Sequence, residues 1–178
     1  MNPLRSLFVV LLMSASSLLA QDAEKATSPD KSLFAAVRSV PESQYIWNTD
    51  LDGFRLVVFH LKKGDEIGTI LFTGEVAART VSKIKWSPDS RFIVLTTTSS
   101  GGHSPWHYKT YVFSVADKSL RYADDTIGQV TSEDFHFEPP NTVVLRVRDY
   151  DHEYGTPDDS KAVKVSLEKT YRKMPKPN

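Results

Sequence analysis

The sequence predicts a mainly β protein: two to three blade-like antiparallel β units, forming an incomplete propeller or compact β-stack, with one short N-terminal helix. Three observations carry this. From Gln44 to Lys169 the apolar residues fall in short runs with strand chemistry. Several of these runs alternate with period two, as half-buried strands do. The runs also recur: Trp86 and Phe137 each precede a proline-containing turn and an apolar strand, and they lie 51 residues apart. Self-similarity at that spacing points to stacked sheets of the propeller kind.

The N-terminus reads as an address. Arg5 supplies a positive start, Leu7 to Met13 a short apolar run, and Ser14 to Ala20 a small-residue stretch. Residues 1–20 are therefore expected to be a secretory signal peptide cleaved after Ala20. The apolar run is far shorter than the ~20 residues that span a bilayer. The expected product is periplasmic or secreted, with no transmembrane segment after signal cleavage. Residues 21–29 read as a flexible lead-in. Ser28-Pro29-Asp30 reads as a helix start, with Ser28 as cap and Pro29 in the first turn. Leu33, Phe34 and Val37 then fall on one helical face. Pro41 ends the helix near Val40, because the residue before a proline avoids helical backbone.

Residues 30–169 are expected to form a single β domain, followed by a basic tail over 170–178. Its strand runs are Tyr45 to Trp47, Phe54 to Phe59, Glu66 to Phe72, Lys83 to Trp86 and Phe92 to Thr98. Tyr108 to Val115, Asp134 to Phe137, Val143 to Val147 and Ala162 to Leu167 complete them. Phe92-Ile93-Val94-Leu95 is apolar on both faces, as in an inner strand covered on each side. Three units follow: Tyr45–Trp47 with Leu56–Val58, then Trp86–Leu95 with Tyr111–Phe113, then Phe137–Leu145 with Val163–Val165.

Trp86-Ser87-Pro88-Asp89-Ser90-Arg91-Phe92-Ile93-Val94-Leu95 resembles the blade opening of WD40-like repeats in TolB-type and dipeptidyl-peptidase-type propellers. In that family the aromatic packs between blades and the Ser-Pro-Asp-Gly stretch turns into the next strand. Ser90 stands where the family has Gly. The resemblance implies fold and not activity, since such blades serve scaffolds, binders and enzymes alike. Closed propellers take about 4–8 blades, so a compact stack is the expected arrangement of so few. A second likeness runs over Phe92 to Val115. Its strand, Ser-Gly loop and aromatic return strand are similar to part of the periplasmic lysozyme inhibitors.

Composition excludes several function classes. The 178 residues carry 22 basic and 22 acidic side chains, so a nucleic-acid partner is not expected. Cysteine is absent, which removes disulfides, thiolate metal sites and cysteine nucleophiles. The chain has no G-x-S-x-G elbow, P-loop or dinucleotide fingerprint.

The candidate site lies in the loops of the units. Ser99-Ser100-Gly101-Gly102-His103-Ser104-Pro105-Trp106-His107-Tyr108 packs two imidazoles, an indole and a phenol into a glycine-bearing loop. Trp and Tyr give large contact area at low entropic cost, so His103, Ser104, Trp106, His107 and Tyr108 are candidate partner-binding residues. The alternative is a hairpin loop folded over its own sheet. His103 and His107 share the i, i+4 spacing of a zinc pair, but no Glu follows His103. The matching loop of the third unit begins Asp149-Tyr150-Asp151-His152-Glu153. Asp149, Asp151 and Glu153 alternate as in a calcium loop, but Tyr154 stands where such a loop needs Gly and the bidentate Glu is missing.

The expected function is thus an exported, non-catalytic binding or interaction protein, using the aromatic–histidine loop with an acidic rim. Its partner would be a protein of the cell envelope. No cofactor is expected, with calcium or zinc the only metals that the loops suggest. The rival readings are an inhibitor of a cell-wall lytic enzyme and a small metal-dependent hydrolase using His103, His107 and Asp149 or Asp151.

Overall fold

The structure, a computed structural model, describes residues 22–39, 53–77, 81–97, 107–149 and 160–175. Three antiparallel sheets make up these residues. The first holds β1 (Asp22–Thr27), β2 (Leu33–Ser39), β3 (Gly53–Leu61) and β4 (Ile67–Ala77) in sequence order. The second holds β5 (Val81–Trp86), β6 (Phe92–Thr97), β7 (Lys109–Ser114) and β8 (Ser119–Tyr122), again in order. The third holds β9 (His136–Glu138), β10 (Thr142–Arg148) and β11 (Ser160–Ser166). Two short helices are added, α1 (Asp124–Ile127) and α2 (Leu167–Tyr171). Among the described residues no sheet closes into a barrel.

The second sheet is the middle layer, and its pleat explains why. Ile93, Leu95, Tyr111 and Phe113 point to one face and pack with Leu33, Val37, Leu56, Val58 and Trp86. Phe92, Val94 and Val112 point to the other and pack with Val143, Leu145, Val147, Val165, Leu167 and Tyr171. A run apolar on both faces, as Phe92 to Leu95 is, satisfies two cores at once, and β6 is buried along its whole length.

The expected N-terminal helix is not formed. Residues Leu33–Ser39 are strand β2, paired with β1 on one side and β3 on the other. Ala35, Ala36 and Val37 are all fully buried there. Burial on both faces of an inner strand outweighs the helix preference of alanine, which is worth only tenths of a kcal/mol per residue. The expected lead-in contains β1. The strand that pairs with β3 is β2; the Tyr45–Trp47 run lies outside the described residues.

What reads as a helix start is the same turn that opens the second sheet. The Ser28 amide donates to the Leu33 carbonyl (2.9 Å), as that of Ser87 does to Phe92 (2.9 Å). The Ser28 hydroxyl accepts from the Leu33 amide (2.9 Å) and donates to Asp30 Oδ1 (2.6 Å). The Ser87 hydroxyl accepts from the Phe92 amide (3.0 Å) and donates to Asp89 Oδ1 (2.6 Å). The fourth residue of each turn is left-handed, with φ 58° at Lys31 and 59° at Ser90.

These turns touch one another at one end of the stack. The Asp30 amide donates to the Ser90 hydroxyl (3.1 Å). The Asp89 amide donates to the Pro140 carbonyl (3.2 Å), and Asp89 Oδ2 accepts from the Asn141 side-chain amide (2.7 Å). Pro140, at the corresponding place in the third turn, has no N–H to pass on. A second tie crosses between the first two sheets, where the Trp86 indole N–H donates to the Ala26 carbonyl (3.0 Å).

The C-terminal segment is also fastened. Tyr171 and Met174, placed by sequence in a basic tail, are buried in the second core. Arg121 of β8 donates from one guanidinium nitrogen to the carbonyls of Tyr171 (2.9 Å) and Met174 (3.1 Å). Its guanidinium carbon lies 4.2 Å from the Tyr171 ring centroid, and the Tyr171 hydroxyl donates to the Ser119 carbonyl (2.7 Å). No helix among the described residues is long and apolar enough to cross a membrane.

Candidate functional site

The second strand of each unit runs away from the interlocked turns. β2 ends at Ser39, β6 at Thr97 and β10 at Arg148, each leading into a connection that returns on β3, β7 or β11. Those connections, 40–52, 98–106 and 150–159, lie outside the described residues. They contain His103, Ser104, Trp106, Asp151 and Glu153, which therefore lie outside the described residues as well. His107, Tyr108 and Asp149 are described, and they mark the roots of two of the connections.

A short strap joins these two roots. Val130 forms isolated β-bridges with Tyr108 on one side and Val147 on the other. The Tyr108 amide donates to the Val130 carbonyl (2.8 Å), the Arg148 amide to the Gln129 carbonyl (2.8 Å), and the Thr131 amide to the Arg146 carbonyl (2.9 Å). The loop roots of the second and third units are therefore fixed on the same end of the stack. Gly128, with φ 95°, turns the chain from α1 into the strap. Asp149, one residue beyond Arg148, accepts from Lys161 Nζ (3.0 Å) across the β10–β11 hairpin.

His107 does not face outward. It is buried, and its Nε2 lies 3.6 Å from Asp124 Oδ2. Asp124 opens α1 and is buried too. Its Oδ1 accepts from the Thr110 amide (2.9 Å) and its Oδ2 from the Tyr122 hydroxyl (2.8 Å). One carboxylate thus ties together the first residues of β7, the end of β8 and the start of α1. Burial pushes Asp124 up to about 6, against the lowering effect of the Thr110 and Tyr122 hydrogen bonds and of His107. Burial, and then the Asp124 charge, push the Tyr122 phenol well above its ordinary value. The Tyr122 ring also stacks obliquely on Tyr111, with centroids 5.5 Å apart.

The structure therefore divides the sequence-derived residues. His107 belongs to the scaffold that holds the loop, while Tyr108 sits on the strap as a half-buried root residue. Asp124 and Tyr122 were not singled out by the sequence. They follow His107 by more than a dozen residues and share no motif with it; only the β7–β8 hairpin brings them together. Among the described residues no group of three or more metal-ligating side chains gathers.

No family model matches the chain, and no curated protein matches it. Among solved structures, the tricorn protease is similar over 80% of this chain, with 12% sequence identity and a TM-score of 0.42. The match takes in 13% of that protein's chain.

Proposed function

We propose that the protein is an exported, non-catalytic binding module that presents its contact residues at the end of the stack opposite the Ser-Pro-Asp turns. The observation that supports this most is the Val130 strap, which fastens the roots of the aromatic–histidine loop and the acidic loop side by side. A rigid scaffold holding variable loops is a common arrangement for recognition. In this reading Trp106 and Tyr108 supply buried contact area, His103 and Ser104 supply polar contacts, and Asp149, Asp151 and Glu153 form the acidic rim. The partner is a protein of the cell envelope. The recurring Ser-Pro-Asp turn, with one unit tied to the next, supports reading the units as WD40-like blades that stack instead of closing a ring.

The test is a paired capture experiment. Immobilised protein from Gln21 to Asn178 is compared with a His103→Ala/Trp106→Ala variant on an envelope extract of the source organism. His107 is left intact because it is part of the scaffold. Thermal melts establish that both baits are folded. A partner held by the first and lost by the second is the expected result. Equal capture by both, or capture by neither, would overturn this placement of the site.

A further inference from the structure

We propose that the buried His107–Asp124 pair is a proton-operated latch on the junction of β7, β8 and α1, tightening that junction when the surroundings become acidic. The geometry carries this. His107 directly precedes Tyr108, which the strap holds, and its imidazole is 3.6 Å from a carboxylate that is itself buried. That carboxylate holds β7 through the Thr110 amide and β8 through the Tyr122 hydroxyl. It also begins α1, which leads through Gly128 into the strap that joins Tyr108 to Val147.

The buried Asp124 carboxylate has two hydrogen bonds, from the Thr110 amide and the Tyr122 hydroxyl, and lies 3.6 Å from the His107 imidazole. Such a group is costly to keep out of water. A proton on the carboxyl removes that cost and leaves a neutral donor facing the imidazole. The groups that face Asp124 are His107 at the start of β7, Tyr122 on β8 and Asp125 in α1, with Tyr111 behind Tyr122. Asp125 is acidic and adds to the cost of the ionised carboxylate, while Tyr122 stays protonated throughout the range considered.

The direction follows by linkage. Burial pushes the Asp124 carboxyl up to about 6 in this arrangement, from the ordinary 3.8 that exposure to solvent would restore. The closed state is therefore favoured as pH falls through 6 and loses that advantage as pH rises. From pH 7.5 to pH 5 the closing equilibrium should shift by about tenfold.

This inference stands on that junction and does not need a partner to be known. Amide hydrogen exchange of Tyr108 and Thr110 in the full chain, corrected for intrinsic exchange, is measured from pH 5 to 7.5. Protection about tenfold higher at pH 5 is expected, and Asp124→Asn should abolish the dependence while keeping the fold. His107→Gln, which leaves the carboxylate in place, should alter its midpoint. A flat profile in the unaltered protein, or the same profile in Asp124→Asn, would overturn the latch. Loss of partner capture by the loop variant bears only on the binding reading, so the two failures are distinguishable.

Discussion

Asp30 and Ser90 lie 60 residues apart, and the backbone amide of the first donates to the hydroxyl of the second over 3.1 Å. This bond joins two turns that share sequence and conformation. It also accounts for the serine at a left-handed position where glycine would be easier. Ser90 accepts the strain of φ 59° because its hydroxyl is the link to the first sheet.

Lys31→Gly and Ser90→Gly should consequently behave differently, although both residues are left-handed. Glycine relieves the backbone strain at either place, a gain of about 0.5–1 kcal/mol. At Lys31 that gain should appear as a higher melting temperature. At Ser90 it should be cancelled or reversed, because the Asp30 amide loses its acceptor. Equal stabilisation by both would show that the inter-turn bond contributes nothing.

Trp86→Phe keeps an aromatic ring in the first core and removes the indole N–H that reaches the Ala26 carbonyl. The expected loss is about 2 kcal/mol, combining an unpaired carbonyl with a smaller ring. Urea unfolding followed by circular dichroism measures it.

Asp89 is held below the ordinary carboxylate range. Burial works to raise it, but hydrogen bonds from Ser87, Asn141 and Arg91 outweigh burial. A depressed folded value means the contribution is complete above about pH 4 and fades as pH falls through the folded value. Asp89→Ala should cost about 1–2 kcal/mol at pH 7. The gap between variant and parent should close in strong acid, as pH-dependent unfolding would show.

Asp124→Asn gives the opposite slope. The native carboxyl is raised to about 6, so its favourable contribution is fully present below about pH 4 and lost as pH rises through 6. Relative to the Asn variant, the unaltered protein should lose about 1 kcal/mol of stability between pH 5 and 7.5. Unfolding midpoints at the two pH values decide this.

Arg121→Met should release the C-terminal segment by stranding the buried carbonyls of Tyr171 and Met174. A loss of about 2–4 kcal/mol is expected. Trypsin should then cut at Arg172 or Lys173 much faster, while cleavage elsewhere keeps its native rate. Unchanged cutting there would mean that apolar packing of Tyr171 and Met174 suffices.

The middle sheet was the most legible part of the sequence because its signals are local. Phe92 to Leu95 read as an inner strand because four successive apolar residues leave no polar face, and the alternation in β7 named its faces. The first unit was misread for a physical reason. A serine hydroxyl accepting a later backbone N–H, with proline next and aspartate after, caps a helix and closes this turn by the same chemistry. Only the non-local pairing of β2 with β1 and β3 separates the two outcomes. The copy of Ser87-Pro88-Asp89 at Ser28-Pro29-Asp30, 59 residues earlier, was the signal that distinguishes them. Of the site, His107, Tyr108 and Asp149 were visible as unusual loop chemistry. The partner of His107 was not, because Asp124 looks in sequence like an ordinary acidic residue after a strand.

The relay of turns gives the units an order that cannot be shuffled. Each turn addresses its successor with different chemistry: a hydroxyl receives at Ser90, while a carbonyl and an amide side chain answer at Pro140 and Asn141. A gene fusion that swapped the second and third units would put Pro140, which has no N–H, where a donor to Ser90 must stand, and would part Asp89 from Pro140 and Asn141. Tandem duplication of the third would add a unit to which Pro140 has nothing to offer.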